Sequence, residues 1–466
     1  MTLVFILLCL SVFAFITYFL WIYAEFDWLA KICSALIISL PFERIPSISL
    51  GGSNLRVSQL LVIVGIWTAS VLFIKQNSTL LGHTVNKLNY FLLAFIAFST
   101  PSWFGITDIK RFWVTEIGTL LVFGAFLLLS NFTKDIVMRT RDLVTTMFFV
   151  TIFGYFQFVG DLINLPTWIT GLRETYTKIV FGIPRIQATA IEPLYFAGML
   201  FVCLFLSLSY FFLDKELLHF KVLSFLRLEK ASNYIINGSL FLFFFGAFLL
   251  TISKSAIVIF ITMVPFFAFF LIHILQVNIL AIVKKIWVTT LTVCIILLSV
   301  YWFIPSVRGI ADNVGSNFVE TIYGNSASSN ERADFLKAFD NIIDKHYVLG
   351  IGSGHFGVEA GKTVETSTGA ENYLIVNNVY LEVWLEHGLL PAVIFASMIL
   401  LIIGMALRNT INQLHKDRTI SCVRVSLIFT LIAYCFQWLT FSPIFIMPIF
   451  ILMGLIVSDT GGRQET

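Results

Sequence analysis

The sequence predicts an all-α polytopic membrane protein with about 12–13 transmembrane helices and one long, partly helical outer loop. Three observations predict this class. Of the 466 residues, 58% are hydrophobic and only 12% are charged, about half the charged share of a typical soluble domain. The apolar residues form runs of about twenty, the length that a helix needs to cross the hydrocarbon core. Basic residues also gather in alternate short connections between the runs.

The apolar runs place the membrane helices in chain order. The predicted spans cover residues 2–23, 28–41, 58–74, 88–105, 114–130, 143–164, 188–213, 234–252, 255–273, 287–304, 388–407, 422–439 and 442–457. The first has no basic leader and no small-residue cleavage site, so we expect it to be retained. The second is short, and the eighth and ninth are nearly continuous around Thr251-Ile-Ser-Lys254. At both places the sequence is compatible with a broken helix or a re-entrant helix.

The distribution of lysine and arginine gives the orientation. The connections after the third, fifth, seventh, ninth and eleventh spans carry half of the 30 basic residues, which assigns them to the cytoplasm. The stretch 305–387 then lies outside, and it holds eleven acidic residues against five basic ones. Lys110 and Arg111 do not fit this orientation, because it places these two basic residues on the outer side. The predicted units are an N-terminal bundle 1–304, the outer loop 305–387, C-terminal helices 388–457 and a cytoplasmic tail 458–466.

The outer loop is long enough to contain structure of its own. Ser328-x-x-Glu331 is typical of a capping box that opens a helix. One face of that helix is apolar, so we expect it to pack on the membrane domain; the face comprises Phe335, Ala338, Phe339, Ile342 and Ile343. A second helix is predicted from Asn377 to His387, ended by Gly388.

Between these helices lies the glycine run 350–357, Gly-Ile-Gly-Ser-Gly-His-Phe-Gly. Its amides are able to cradle phosphate oxygens. No strand–helix unit surrounds it, so it does not match a dinucleotide-binding fingerprint. A tight turn is the favoured interpretation, with His355 as an ordinary loop histidine.

Ionisable residues at membrane depth are candidates for function because they are costly to bury. Arg185 and Glu192 lie at the entrance of the seventh span, and they share a helix face if that helix begins early. Pro193 bends or starts the helix there. A structural Arg–Glu pair is the alternative. Lys254 lies between two apolar runs, where it must snorkel, pair with an acid or bind an anion.

Further candidates come from the loop. Arg308 follows the tenth span and Arg332 lies on the first turn of the loop helix, where a surface salt bridge is the alternative. The last candidate group lies on the second helix and comprises Tyr380, Glu382, Glu386 and His387. Tyr380, Trp384 and His387 share one stripe of that helix, and such aromatic residues are also typical interface anchors. Several cations around a water-poor outer cleft suit a diphosphate leaving group. No acidic pair in the first outer loop is placed to hold a metal, so we predict neither a metal nor a cofactor.

Composition excludes other partners. The net charge is only +3, and no block of Lys and Arg occurs at either end, so nucleic acid is not an expected partner. The six cysteines fall inside or at the edge of apolar runs without a C-x-x-C pair. Neither a disulfide framework nor a zinc site is expected.

Four short motifs occur in order around the outer loop. They are Arg185 with Ile-Glu192-Pro-Leu-Tyr-Phe-Ala197, Thr251-Ile-Ser-Lys254-Ser-Ala, Arg332 with Gly350-Ile-Gly-Ser-Gly-His-Phe356, and Asn377-Asn-Val-Tyr-Leu381 with Glu386-His-Gly-Leu-Leu390. In these motifs, and in its pattern of spans over residues 28–457, the sequence resembles the O-antigen polymerase and ligase superfamily of Wzy-type membrane glycosyltransferases. The resemblance implies a GT-C-like, metal-independent enzyme of the bacterial inner membrane, with its active site facing the periplasm.

The resemblance also implies residue roles. The substrates would be undecaprenyl-diphosphate-linked glycans, and a chain-length regulator and a flippase are possible protein partners. Substrate binding would fall to Arg185, Lys254, Arg308, Arg332, Asn377 and Tyr380, with Arg332 also counted as catalytic. Glu192 is the first candidate for the base that takes the proton of the acceptor hydroxyl. His387 is the second, because an imidazole titrates near neutral pH.

The superfamily divides into two activities. Ligases, which pass a finished chain to lipid A core, usually carry His-Asn-x-Tyr-Leu where this sequence has Asn377, which is unable to accept a proton. This favours a polymerase of O-antigen, capsular or exopolysaccharide repeat units, with the ligase as the alternative. A lipid-linked glycan flippase or transporter is the alternative from another functional class. A transporter would be expected to carry its charged residues midway through the spans, whereas here they lie at the outer ends. A channel or a structural membrane protein is the third functional class that we consider.

Overall fold

The structure is a computed structural model. It describes residues 17–22, 25–42, 47–50, 53–76, 83–170, 179–180, 183–190, 192–218, 232–275, 302, 327–363, 377–413, 417–440 and 447–458.

Within these ranges the protein is a bundle of α-helices, which confirms the all-α class. The helices are α1 (Phe26–Ile38), α2 (Val57–Gln76), α3 (His83–Ser99), α4 (Ile109–Phe132), α5 (Ile136–Leu162), α6 (Thr167–Thr170), α7 (Pro193–Leu213), α8 (Asn233–Leu250), α9 (Lys254–Leu275), α10 (Ala327–His346), α11 (Phe356–Thr363), α12 (Val379–His387), α13 (Leu389–Gln413), α14 (Arg418–Gln437) and α15 (Met447–Ser458). Short 3-10 turns occur at Leu40–Phe42, Thr100–Gly105 and Ala188–Ala190.

Two small antiparallel hairpins accompany the helices. β1 (Ser47–Leu50) pairs with β2 (Ser53–Arg56), with Ser47 opposite Arg56. β3 (Ile179–Val180) pairs with β4 (Ile183–Pro184). Both hairpins lie in connections between helices, so they do not alter the fold class.

Eight of the predicted spans are confirmed as helices long and apolar enough to cross a bilayer: α2, α4, α5, α7, α8, α9, α13 and α14. The predicted spans 28–41, 88–105 and 442–457 correspond to the shorter helices α1, α3 and α15. The 13 residues of α1 rise about 20 Å, less than the roughly 30 Å hydrocarbon core, because the chain turns at Pro41. The predicted spans 2–23 and 287–304 lie outside the described residues, apart from a helical stretch at 17–22 and Trp302.

The bundle is built around α7 and α14. In each, 78% of the most apolar stretch is buried, against 33% in α2, α8 and α13. Phe205 of α7 packs on Phe267 of α9 with ring centroids 4.7 Å apart, and on Phe429 of α14 at 6.1 Å. Ser209 and Ser426 share a buried hydrogen bond of 2.7 Å between their hydroxyls. Polar side chains at the centre thus bond between helices, as a lipid-embedded bundle requires.

The peripheral helices expose apolar side chains. Ile261 and Phe269 of α9 are about two-thirds exposed, and so is Leu400 of α13. A soluble protein rarely exposes such a continuous apolar surface to water. These faces are therefore the lipid-facing surface of the protein.

The junction between the eighth and ninth predicted spans is a tight reversal. α8 ends at Leu250 and α9 begins at Lys254. The rings of Phe248 and Phe260 pack 5.4 Å apart across the turn, although twelve residues of straight helix would separate them by about 18 Å. Of the possibilities left open at this junction, the structure has two helices broken by a three-residue turn.

The loop helices form a small core of their own. The apolar face predicted for α10 is buried, but the prediction that it packs on the membrane domain is wrong: it packs on α11, α12 and the glycine run. Its partners include Phe356, Leu385 and Ile351, because two further apolar faces in the same loop lie closer than the bundle. The helix also begins at Ala327, so Ser328 lies inside it and is not its capping residue.

Glycine sets the approach of α15 to α4. A side chain on Gly454 would place its Cβ 2.7 Å from Leu129 Cβ and 3.2 Å from the Phe126 carbonyl. Gly404 of α13 is a matched control, because its added Cβ would meet nothing within 4 Å. We expect Gly454→Val to destabilise the protein by about 1–3 kcal/mol and Gly404→Val to have little effect. Thermal melting of the detergent-solubilised variants tests this; equal melting temperatures would contradict the tight helix pair.

Candidate functional site

Several helix termini meet at one end of the bundle, which we call the loop end because α10, α11 and α12 lie there. The amide of Val379 in α12 donates to the carbonyl of Trp438, just after α14, at 3.0 Å. Gln437 Nε2 of α14 donates to the carbonyl of Leu194 in α7 at 2.8 Å. The start of α4 contacts the glycine run 350–357. Two clusters of polar side chains lie at this end.

The first is the cationic cluster of Arg185, Glu192 and Lys254. Arg185 Nε donates to the carbonyl of Thr251 at 2.7 Å, in the turn between α8 and α9. Its guanidinium interacts electrostatically with the Glu192 carboxylate and with the Lys254 ammonium. Burial lowers the pKa of Arg185 to about 10, and the charge of Glu192 opposes that shift. Arg185 is therefore a half-buried, protonated group next to a second cation and one acid.

The prediction that Arg185 and Glu192 share a helix face is wrong in its geometry. The helix begins at Pro193, with Glu192 as its N-cap residue, so Arg185 lies in the preceding non-helical segment. The amide of Ile186 bonds to the carbonyl of Leu250 at 3.0 Å, which holds this segment against the end of α8. Arg185 therefore interacts with Glu192 from a non-helical segment and not through helical periodicity.

Strained backbone lies on both sides of the cationic cluster. Ala188 and Ile252 each have φ of +49°, in the left-handed region that non-glycine residues rarely adopt. The conformation is especially unfavourable for β-branched isoleucine. Strain of this kind costs about 1–3 kcal/mol and concentrates at functional sites. It therefore identifies the Thr251-Ile-Ser turn as a place where geometry is held against local preference.

The second group is the glycine-turn cluster of Glu116, Ser353, His355, Glu386 and His387. Its centre is the Glu386 carboxylate, which is buried and accepts the amide of Gly354 at 2.7 Å and that of Phe356 at 3.1 Å. Burial raises the pKa of Glu386, while the two amides and the charge of Arg111 oppose the rise. The glycine run does bind an anion, but the anion is a carboxylate of the same chain, so those two amides are not available to a phosphate.

Ser353 links two other members of this cluster. Its hydroxyl donates to Glu116 Oε1 of α4, and its oxygen lies 3.4 Å from His387 Nε2. His387 is 1% exposed and packs against Phe95 with ring centroids 5.1 Å apart. Burial lowers the pKa of His387 to about 4. Its imidazole is therefore neutral at physiological pH, and among the described atoms none bonds to its Nδ1.

His355 joins the glycine run to the start of α4. Its Nε2 accepts the amides of Thr107, at 3.1 Å, and Asp108, at 2.9 Å. The proton must then lie on Nδ1, which is 3.0 Å from the carbonyl of Ser353. His355 is a loop histidine, as predicted, but it is fully buried and its ring bonds within the protein. It is a neutral structural link between two loops.

Tyr380 and Asn377 lie between the two clusters, at the first turn of α12. The Tyr380 hydroxyl donates to the carbonyl of Cys435 in α14 at 3.0 Å, and burial raises its pKa. Asn378 caps the helix by accepting the amides of Tyr380 and Leu381. Asn377, the residue before the cap, is half-buried. α12 therefore starts near α14 and ends, about 13 Å further on, at the glycine-turn cluster.

The structure brings together only some of the predicted site residues. Arg185, Glu192 and Lys254 share one cluster, whereas His387 lies in the other. Arg332 lies in the second turn of α10, not the first, because the helix begins earlier than predicted; the side chain of Arg332 is outside the described part. Arg308 is also outside the described residues.

Two members of the glycine-turn cluster were missed from the sequence. Glu116 lies within the predicted span 114–130, so the rule that flags ionisable residues at membrane depth would have found it. Ser353 offers no such signal. A serine within a glycine run gains its role only when the loop folds onto α4.

The buried neutral imidazole of His387 predicts a pH effect. An unfolded chain protonates this residue below about pH 6.5, but the folded protein does so only near pH 4. The stability that the depressed pKa confers is thus complete above pH 6.5 and is lost on acidification toward pH 4, by at most about 1.4 kcal/mol per pH unit.

We expect His387→Gln to reduce the fall in melting temperature between pH 7 and pH 5 relative to the wild type. His273→Gln, at an exposed histidine of α9, is the control and should keep the wild-type slope. If His387→Gln also keeps that slope, His387 is not buried in its neutral form.

Comparison with known proteins bears on this site. The sequence model of the family described as O-antigen ligase matches residues 239–396, about a third of the chain. The match includes Lys254, Arg332 and both ends of α12, but not Arg185 or Glu192. Comparison with curated proteins gives no significant match. The family match supports a membrane enzyme of the O-antigen polymerase or ligase type, and over residues 239–396 it confirms the resemblance to the O-antigen polymerase and ligase superfamily.

Proposed function

We propose that the protein is a membrane glycosyltransferase that polymerises undecaprenyl-diphosphate-linked oligosaccharide repeat units on the outer side of the bacterial inner membrane. The loop end of the bundle then faces the periplasm. The reaction transfers a growing glycan from its lipid diphosphate to a hydroxyl of the next lipid-linked repeat. The diphosphate leaves with the bonding electrons, and the hydroxyl loses its proton.

The observation that carries the proposal is the cationic cluster. Arg185 and Lys254 approach each other although their charges repel, and the charge of Glu192 favours the protonated form of Arg185. A dianionic leaving group would relieve the repulsion, and its stabilisation in a water-poor site is a large catalytic effect. Arg185 is oriented for this role because its Nε bonds to the carbonyl of Thr251.

Glu192 is our candidate for the base. It is half-buried at the N-cap of α7, and its side chain does not cap that helix. A base must reach the acceptor hydroxyl, and the start of α7 lies beside the diphosphate-binding cations. His387 is less suited to this role. It is enclosed in the glycine-turn cluster, and its lowered pKa of about 4 makes the imidazole a weak base.

Ligation is the second candidate function, and the matching family description favours it. A ligase would use the same cations on the same leaving group but would deliver the glycan to lipid A core. Asn377 argues against it, because the histidine expected of ligases at this position is absent. Both reactions have the same chemistry at the diphosphate, so the acceptor must be identified by experiment.

The test is glycan display in cells that lack this protein, resolved by gel into single repeats and long ladders. We expect the ladder to disappear while single repeats are still delivered. Wild-type protein should restore it, whereas Arg185→Gln, Lys254→Gln and Arg332→Ala should each reduce it by about tenfold or more, the effect of losing one charged contact to the transition state.

Arg408→Gln is the matched control, because it removes an exposed cation at the opposite end of α13. That variant should restore the full ladder at equal protein abundance. Long chains that remain on the carrier lipid would favour the ligase. If no repeat reached the outer face at all, a flippase would be favoured and the proposal would be overturned.

A further inference from the structure

The glycine-turn cluster contains a buried acid to which the proposed reaction assigns no role. Glu386 is 3% exposed, and both of its oxygens accept backbone amides of the glycine run. Hydrogen bonds to a charged acceptor are about twice as strong as neutral ones. The backbone of the same residue also takes part, since its carbonyl accepts the amide of Gly352 at 2.9 Å. One residue thus binds three amides of a single turn.

The turn requires its glycines in order to receive that carboxylate. Gly350, Gly352 and Gly354 have φ of +78°, +95° and +74°. A Cβ on Gly354 would lie 2.5 Å from Thr115 Oγ1 of α4, and one on Gly350 would lie 2.6 Å from the Glu386 carbonyl. The turn is therefore packed closely between α4 and α12. With the turn in this conformation, the amides of Gly354 and Phe356 both point toward one carboxylate.

The contact continues from the turn to the helix that carries Arg332. Phe356, whose amide binds Glu386, packs its ring edge-on against Phe335 of α10 with centroids 5.5 Å apart. Phe335 follows Arg332 by three residues, which is about one helical turn. Both rings are buried. The location of the Arg332 backbone therefore depends on where Glu386 holds Phe356.

The other end of α12 is fixed near the cationic cluster. Val379 bonds to Trp438, and the neighbouring Gln437 bonds to Leu194, two residues after Glu192. α12 is a single helix, so its two ends keep a constant separation. A residue at its C-terminal end thus sets how α10 is placed relative to the start of α7.

We infer that Glu386 is a positioning residue, which holds the glycine turn and through it places the α10 helix of Arg332 opposite the cations of the leaving-group site. This inference rests on the proposed function. Glu386 itself does not contact substrate in this arrangement. Both oxygens of its carboxylate accept hydrogen bonds from within the protein.

The test measures the geometry and the reaction separately. Glu386→Gln keeps the size of the side chain but turns an NH₂ group toward one of the two amides. Gly354→Ala disturbs the same turn without changing the acid. Asp340→Asn is the control, because it neutralises an exposed acid on α10. Each variant is assayed as the full chain, by amide hydrogen exchange in detergent and by the glycan ladder in cells.

We expect Glu386→Gln and Gly354→Ala to speed exchange about tenfold or more over residues 350–358 and 331–346, since each removes or strains a buried charge-assisted bond. Exchange in α7 and α14 should stay at the wild-type level. The ladder should fall about tenfold at unchanged protein abundance. Glu386→Asp keeps the charge and should restore more ladder than Glu386→Gln does. Asp340→Asn should match the wild type in both measurements.

Other outcomes separate the two proposals. Faster exchange with a full ladder would overturn the positioning role, because the turn would then be structural only. Unchanged exchange in Glu386→Gln would overturn the claim that this carboxylate holds the turn. If Glu386→Gln lost the protection of α7 and α14 from amide exchange, that variant would be generally unfolded. The exchange and the ladder of Gly354→Ala would then decide whether the positioning role holds. If deletion of the protein leaves the ladder intact, the proposed function fails, and exchange still tests the link from Glu386 to α10.

Discussion

The hydrogen bonds of Glu386 to the glycine turn are the interaction on which the loop end depends. A carboxylate without partners would be very costly at this depth, whereas one that accepts two amides is stable and directional. The acid and the turn are complementary, since the amides of Gly354 and Phe356 both donate to this carboxylate. Their pairing fixes the turn to α12, and His355 and Ser353 then fix the same turn to α4.

From this point the organisation of the candidate site follows. α12 lies between two polar groups of different character: a cationic cluster that is half-buried, and a glycine-turn cluster that is closed. The first has its charges placed by a strained turn at Ile252 and by the end of α8. The second has nearly all its polar atoms used within the protein. The open cluster is suited to ligand binding and the closed one to holding the loop, which is why we assign catalysis to the former.

The bilayer explains why this division occurs at the end of the bundle. Within the spans, hydroxyls bond to the carbonyl four residues earlier, as in Thr119 and Ser426, or bond to each other between helices, as Ser209 does. Such bonds satisfy polar groups without admitting water. Charged groups need more partners, and backbone amides not used in helices occur only where helices end. The ionisable residues of both clusters accordingly gather at helix termini and turns, except Glu116, which lies two turns inside α4.

The order of the amino acids by itself determined the all-α class, the eight apolar helices confirmed among the described residues and the end of α12 at Gly388. It also singled out the junction at Thr251-Ile-Ser and the candidates Arg185, Glu192 and Lys254. Each of these depends on local composition: the length of an apolar run, a glycine after a helix, or a charge where lipid should be. Tertiary structure decided what each residue contacts. Glu116 and Ser353 lie more than two hundred residues apart in the chain, and His355 bonds to amides equally distant. No local pattern encodes such pairs, because they form only when the loop folds onto α4. For the same reason the α10 face packs within the loop and not on the bundle, and the anion of the glycine turn is a carboxylate supplied by the next helix.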